Sequence, residues 1–187
     1  QRQMCIRDSC YADARKAGHE DINMDLIAGL PGDTVEGFEH SLRQAIALDP
    51  ENITVHTLAM KKGSRLMEEG GALPSGEETA RMVDLSLEAL EGAGYRPYYL
   101  YRQKYMSGGL ENVSWCLPGT ENHYNIIMME ELQSVLSLGA GGVTKLVDRS
   151  SGRIVRLTNP KYPHDYLAMS AKVLEQKDEI LRFYREV

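Results

Sequence analysis

Residues 21 to 32 constrain this chain more than any other stretch. Asp21 to Ala28 reads as a strand in which Ile22, Met24 and Leu26 alternate with Asn23, Asp25 and Ile27, so Asn23 and Asp25 share one face. It runs straight into Gly29-Leu30-Pro31-Gly32-Asp33-Thr34, a turn, and Asp33 with Glu36 three residues on forms a capping-box-like helix start. Val35, Phe38, Leu42, Ala45 and Ile46 then recur at helical spacing, and Asp49-Pro50 stops the helix. Ile53 to Ala59 is a second strand, followed by a loop with Lys61, Lys62, Gly63 and Arg65. Ser75 with Glu78 is another capping box, and Val83, Leu87 and Leu90 carry that helix to Gly92 and Gly94. Tyr95 to Arg102 is a third strand. The order strand, helix, strand, helix, strand, with short connections, predicts neighbouring parallel strands and an α/β architecture.

The flanks read differently. Gln1 to Ser9 has no periodicity and resembles a translated scar, so it is set aside; a helical turn or two from Ser9 to Gly18 precedes the first strand. On this reading the natural chain enters from further upstream. Lys104 to Asn122 is irregular, and Tyr124 to Leu138 is amphipathic. Gly139-Ala140-Gly141-Gly142 leads into Val143 to Val147, which pairs with Arg153 to Leu157 as a hairpin. Pro163 opens a long helix to about Tyr184, with Leu167, Leu174, Ile180, Leu181 and Tyr184 as its buried candidates. The expected divisions are 1–9, a barrel portion at 10–102 and an extension at 103–187.

Composition removes several functions. With 21 Lys+Arg against 27 Asp+Glu (net −6) and no block of like charge, the chain does not look like a nucleic-acid or anionic-membrane binder. No apolar run approaches the roughly 18 residues of a membrane span. Three irregularly spaced Cys suit a reducing cytoplasm better than a disulfide framework.

Asp25 is the first candidate for chemistry. A carboxylate at the C-terminal end of a parallel strand, immediately before a Gly-Pro turn, sits where α/β sheets bind ligands and can accept two hydrogen bonds from a ribose diol. The alternative is a carboxylate that caps the turn. The 139–142 glycines can admit a ligand close to backbone or simply pack a strand-end bend; they fail the dinucleotide fingerprint, and no Walker sequence occurs. His19, His40, His56, His123 and His164 show no metal-ligand spacing with the cysteines, and no metal ligand is assigned. Nucleophile motifs are absent, and no catalytic residue is assigned in this chain. Tyr95, Tyr98, Tyr99, Tyr101 and Tyr105 cluster with Arg96, Arg102 and Lys104, either as a wall for a flat ligand or as a strand packed against helices.

The string Ile22-Asn23-Met24-Asp25-Leu26-Ile27-Ala28-Gly29-Leu30-Pro31-Gly32 closely resembles the strand-and-turn signature of radical S-adenosylmethionine enzymes of the oxygen-independent coproporphyrinogen III oxidase family. Asp49-Pro50 with the following strand, Pro74-Ser75, Gly92-Ala93-Gly94-Tyr95 and Leu138 to Gly142 match in order along the chain. Pro97 to Lys104, followed by Glu111-Asn112-Val113, resembles the coproporphyrinogen dehydrogenase branch. The resemblance covers about residues 10–187.

It implies an α/β fold, the C-terminal part of a partial (β/α) TIM-like barrel, with a mixed extension ending in a long helix. It implies S-adenosylmethionine and a [4Fe–4S] cluster as cofactors, and a 5′-deoxyadenosyl radical that takes hydrogen from the propionates of coproporphyrinogen III. Two propionates would become vinyls with loss of CO₂. By position, Asp25 would bind the ribose of S-adenosylmethionine, and Ala59 and Val143 would approach the cofactor. Tyr99, Tyr101, Arg102, Lys104 and Lys145 are the candidates for a tetrapyrrole substrate with four carboxylates. The electron donor and acceptor stay open. The family's Cys-x-x-x-Cys-x-x-Cys motif does not occur here, so its cluster ligands are expected upstream, and this chain alone is expected to be inactive. Glu121-Asn122-His123-Tyr124 and Trp115-Cys116 depart from the branch pattern. A haem-binding or haem-delivery protein of the same family is the alternative function.

Overall fold

The computed structural model describes residues 2–60, 66, 72–102 and 109–186, which fall into two compact units, Gln1–Glu121 and Asn122–Val187. The division expected at 102/103 lies inside the first of them. In chain order that unit holds α1 (Arg2–Lys16), β1 (Asn23–Ala28), α2 (Val35–Ala47), β2 (Asn52–Thr57), α3 (Gly76–Gly92), β3 (Arg96–Tyr101) and β4 (Asn112–Cys116). The second holds α4 (His123–Met129), β5 (Val143–Asp148), β6 (Arg153–Thr158), α5 (Pro163–Ala168) and α6 (Ser170–Glu186).

The first sheet has the order β1-β2-β4-β3. β1 and β2 are parallel, as the crossover through α2 predicts. β2 and β3 are not neighbours, however: β4 lies between them, antiparallel to both. This corrects the expectation of three successive parallel neighbours and of an irregular 104–122. β4 escapes a pattern search because it is buried on both faces and carries Asn112 and Ser114 among its buried residues. The β3–β4 register shifts between Pro97 and Tyr99, where proline has no N–H to give the ladder.

One face of this sheet is apolar and covered by α2 and α3. Ala28, Ile53, Val55 and Trp115 meet Phe38 and Leu42 of α2 and Met82 and Leu90 of α3 in a single core. The α2 stripe is as expected, but its cap is Thr34, whose hydroxyl accepts from Gly37 N at 3.1 Å, while Asp33 accepts from Thr34 N. The capping box of Ser75 and Glu78 on α3 is present as read from the sequence. The buried face of α3 runs through Thr79, Met82, Ser86 and Leu90, so Leu87 is exposed. Thr79 and Ser86 can be buried because their hydroxyls bond to helix carbonyls of Ser75 and Val83. Thr79 also explains Gly29. At φ +86 and with a Cβ position only 3.1 Å from the Thr79 side chain, that residue has room for glycine alone.

α1 begins at Arg2, earlier than expected, and is fastened near its C-terminal end. Arg15 donates to both carboxylate oxygens of Glu51 at 2.7 and 2.8 Å, to the Tyr11 hydroxyl, and to the carbonyls of Glu20 and Asp49. Glu51 in turn accepts from Ile22 N at 2.9 Å, and Asp49, at φ +55, offers its carbonyl to Tyr11 as well. One guanidinium thus ties α1 to the start of β1 and β2.

In the second unit β5 and β6 form the expected hairpin. The amphipathic stretch 124–138 is helical only to Met129, because Glu131 turns to φ +52 and Val135 bridges to Lys145. The final helix is broken at Met169 into α5 and α6. Its buried anchor is Phe183, with Ile180, against Leu146 and Leu157; Leu167, Leu174, Leu181 and Tyr184 are exposed. The core of a lone hairpin is narrow, so only one line of α6 reaches it. The glycine loop packs tightly, with Asn159 donating to Gly139 O at 2.8 Å and a Cβ at Gly142 blocked by Ser137.

The Arg15 clamp makes the first prediction. Burial pushes the Glu51 carboxyl up, and the hydrogen bonds from Arg15 and Ile22 more than offset this, leaving it below its ordinary 4.5. A depressed carboxyl adds stability that is complete above its unfolded pKa and is lost as pH falls through the folded value. Arg15→Met should cost about 1–3 kcal/mol at pH 7, and the loss should shrink toward about pH 3. Urea melts at both pH values check this, and an equal loss at each contradicts it.

Candidate functional site

The other face of the first sheet is polar. Strand alternation and register place Asp25 beside Thr54, Thr54 beside Ser114, and Ser114 beside Tyr99, one residue from each strand. The next row carries Ile27 and His56, paired across β1 and β2, and Asn112 and Tyr101, paired across β4 and β3. These side chains bond to one another. Asn23 Nδ2 donates to Asp25 Oδ1 at 2.7 Å, Thr54 Oγ1 donates to Asn23 Oδ1 at 3.1 Å, and Thr54 and Ser114 share a hydroxyl contact at 2.7 Å. The buried Asn112 accepts from Thr57 N at 2.7 Å and so pins the end of β2.

Asp25 is the anionic centre of this face. Its side chain is 59% exposed, and His56 Nε2 lies 3.6 Å from Oδ2. His56 holds the carboxyl below its ordinary 3.8; burial opposes this, and Asn23 and Thr54 add to the lowering. The result is an ionised, fixed and accessible carboxylate, able to accept hydrogen bonds from a pair of hydroxyls. Tyr99 and Tyr101 stack at 6.2 Å with their planes 9° apart, and the Tyr101 hydroxyl is 3.0 Å from His56 Nδ1.

Of the residues singled out from sequence, the structure brings together Asp25, Tyr99 and Tyr101. Asp25 stands in the middle of β1, not at its end. Ala59 follows β2, two residues past Thr57. Arg102 is exposed and paired with Glu111 at 3.0 Å. Lys104 lies outside the described residues, as do Tyr105, Lys61, Lys62, Gly63 and Arg65. Val143 and Lys145 belong to the second unit. Val143 is exposed, whereas Lys145 is buried and committed, donating to Met128 O at 2.8 Å with Glu131 at 3.6 Å. Tyr95 is a core residue whose hydroxyl donates to Pro50 O at 2.6 Å, so it leaves the Tyr wall. Sequence reading missed Thr54, His56, Asn112 and Ser114. The signal for the first two was their shared parity on β2; for the others β4 itself had to be found.

Clefts lie elsewhere among the described residues, one of about 660 Å³ lined by Glu39, Arg43 and Leu85 and another of about 410 Å³ in the second unit, lined by Leu136, Leu157 and Tyr166. The first sits over the helices, and neither contains a residue of the polar face. No helix among the described residues is long and apolar enough to cross a membrane. Nor do the described residues fit an iron–sulfur cluster: no group of metal-ligating side chains converges, and burial pushes the Cys116 thiol up to about 11, away from the thiolate a cluster needs.

No protein-family model matches the chain. Among curated proteins, the chain is 40% identical over 179 residues to the oxygen-independent coproporphyrinogen-III oxidase-like protein HemZ of Bacillus subtilis, covering 95% of this chain and 35% of that protein. The chain belongs to the oxygen-independent coproporphyrinogen III oxidase-like family. The haem chaperone HemW of Bacillus subtilis is 33% identical over 103 residues, 53% of this chain and 27% of its own length. The oxygen-independent coproporphyrinogen III oxidase of Helicobacter pylori (strain J99) is 37% identical over 87 residues, 44% of this chain and 19% of that protein. In structure, the chain matches the coproporphyrinogen III oxidase HemN of Escherichia coli, a radical SAM enzyme, with a TM-score of 0.59 at 18% identity, over 83% of this chain and 35% of that one. The fold is therefore the radical SAM partial barrel, present here as an open α/β sheet with a mixed C-terminal part that ends in a helix. The chain spans about a third of the length of the family members it matches over most of its residues. That family holds both oxidases and haem chaperones.

For this family member, carbon-detected NMR should find the Asp25 carboxyl titrating below 3.8, the value it would have without partners. Asn23→Ala should move the midpoint upward, because the lowering hydrogen bond is lost. An unchanged midpoint would show that the network does not hold the carboxylate.

Proposed function

We propose that the polar face around Asp25 binds the ribose diol of S-adenosylmethionine, in a whole protein that oxidatively decarboxylates two propionates of coproporphyrinogen III to vinyl groups. The observation that carries this reading is Asp25 itself: a carboxylate kept ionised, held by Asn23 and left open on a sheet face. Asp25 would accept from both ribose hydroxyls, and Thr54 and Asn23 would keep it oriented. Ala59 would stand near the cofactor. Tyr99 and Tyr101 would offer a flat aromatic surface to a tetrapyrrole, with Arg102 and Lys104 as candidate partners for its carboxylates; Lys145, buried and already bonded to Met128 O, is not among them.

When bound beside a [4Fe–4S] cluster, S-adenosylmethionine supplies hydrogen-atom abstraction. Each propionate then loses one hydrogen atom, one electron and CO₂, leaving a vinyl group. The residues of this chain contribute binding and orientation, and the cluster is expected to be held by residues outside it. The match to proteins named haem chaperones favours a second reading, in which the tetrapyrrole is bound and delivered unchanged.

Calorimetry with S-adenosylhomocysteine on the whole protein tests the site. Asp25→Ala should weaken binding at least about tenfold, the equivalent of losing one or two charge-assisted hydrogen bonds, while the melting curve shifts little. Equal affinity in the variant overturns the assignment. Mass analysis after incubation with coproporphyrinogen III separates the two activities: a divinyl product supports the oxidase, and tight haem binding with no such product supports delivery.

A further inference from the structure

His56 touches both the carboxylate and the aromatic part of the polar face. Its Nδ1 is 3.0 Å from the Tyr101 hydroxyl and its Nε2 is 3.6 Å from Asp25 Oδ2. The ring meets Tyr101 edge-on, with centroids 6.2 Å apart and planes at 68°. It is mostly buried, 24% exposed, whereas the carboxylate it faces is open. Neither the diol reading nor the aromatic wall uses it.

The two contacts together favour one tautomer, because a bare Nε2 lone pair would face the Asp25 carboxylate. A Tyr hydroxyl that donates to Nδ1 leaves the proton on Nε2, and that N–H is directed toward Asp25. At 3.6 Å this is an ion-pair distance, longer than a hydrogen bond, so in the neutral state the carboxylate keeps its acceptor sites for a ligand. A second proton changes the balance. Imidazolium draws on Asp25 as a full charge, and Nδ1 becomes a donor, so the Tyr101 hydroxyl must turn and accept. Among the described residues, the titratable groups that face His56 are Asp25 from β1 and Tyr101 from β3; β4 brings only the neutral Asn112 to this face, and Thr54 is the neutral neighbour on its own strand.

We propose that His56 is a positioning residue of the Asp25 site: neutral, it holds Asp25 open for a vicinal diol and locks Tyr101; doubly protonated, it competes with the diol for Asp25. This rests on the reading of Asp25 as a diol site and adds its regulation by pH. The class of ligand concerned is a nucleoside with free 2′ and 3′ hydroxyls.

The test uses the whole protein with S-adenosylhomocysteine as the probe, whose own groups do not titrate between about pH 5.5 and 8. The native protein should lose affinity severalfold as pH falls through this range, and His56→Gln should show a flat profile. In a ligand-free measurement, nitrogen-detected NMR should find His56 in the Nε2-protonated tautomer at pH 8. Affinity that is lost in Asp25→Ala but has the same pH profile in His56→Gln overturns the role of His56 alone. No binding at any pH overturns the diol reading and this inference together. An Nδ1-protonated ring overturns the proposed arrangement even if the pH profile is as expected.

Discussion

The register that sets Asp25 beside Thr54, and Thr54 beside Ser114, is the constraint from which the first unit follows. Side chains alternate along a strand, so a one-residue slip of β1 would turn Asn23 and Asp25 into the core and push Met24 and Leu26 out. Burying an unpaired carboxylate costs several kcal/mol, and exposing the apolar residues forfeits their burial as well, about 1.5–3 kcal/mol for each large side chain. The same register puts Ala28, Ile53 and Val55 against α2 and α3. Core and site are thus two faces of one pairing choice, and the choice that buries the apolar face also exposes Asp25.

β4 completes that arrangement. By entering antiparallel between β2 and β3 it supplies Ser114 to Thr54 and Asn112 to the end of β2, and it carries Trp115 into the core on the opposite side. It also brings Tyr99 and Tyr101 of β3 within two strands of β2, close enough for Tyr101 to meet His56. A sheet of consecutive parallel strands would have put β3 directly on β2.

Much of this was legible in the sequence. The alternation of 22–28, the apolar stripe of α2, the capping box of α3 and the hairpin of β5 and β6 were all readable, because local periodicity and turn chemistry decide them. What escaped was set by long-range pairing. β4 reads as irregular since Asn112 and Ser114 are buried by partners distant in sequence, not by their own hydrophobicity. Tyr95 looked like part of a ligand wall because a Tyr in a core and a Tyr at a site are the same letter; only the carbonyl of Pro50 distinguishes them. Asp25 was found because it lies on an alternating strand before a Gly-Pro turn, and His56 was missed because its significance lies in Asp25 and Tyr101, one from each edge strand of the sheet.

The central claim is that one face of the first sheet, centred on Asp25, receives the nucleoside end of the cofactor. Backbone chemical-shift mapping of the whole protein on addition of S-adenosylhomocysteine tests it most directly. The account predicts that the largest changes fall on alternate residues of β1 and β2, at Asn23, Asp25, Thr54 and His56, with the residues of the helix-covered face between them changing less. Changes concentrated on α2 and α3, or none on β1, would contradict it.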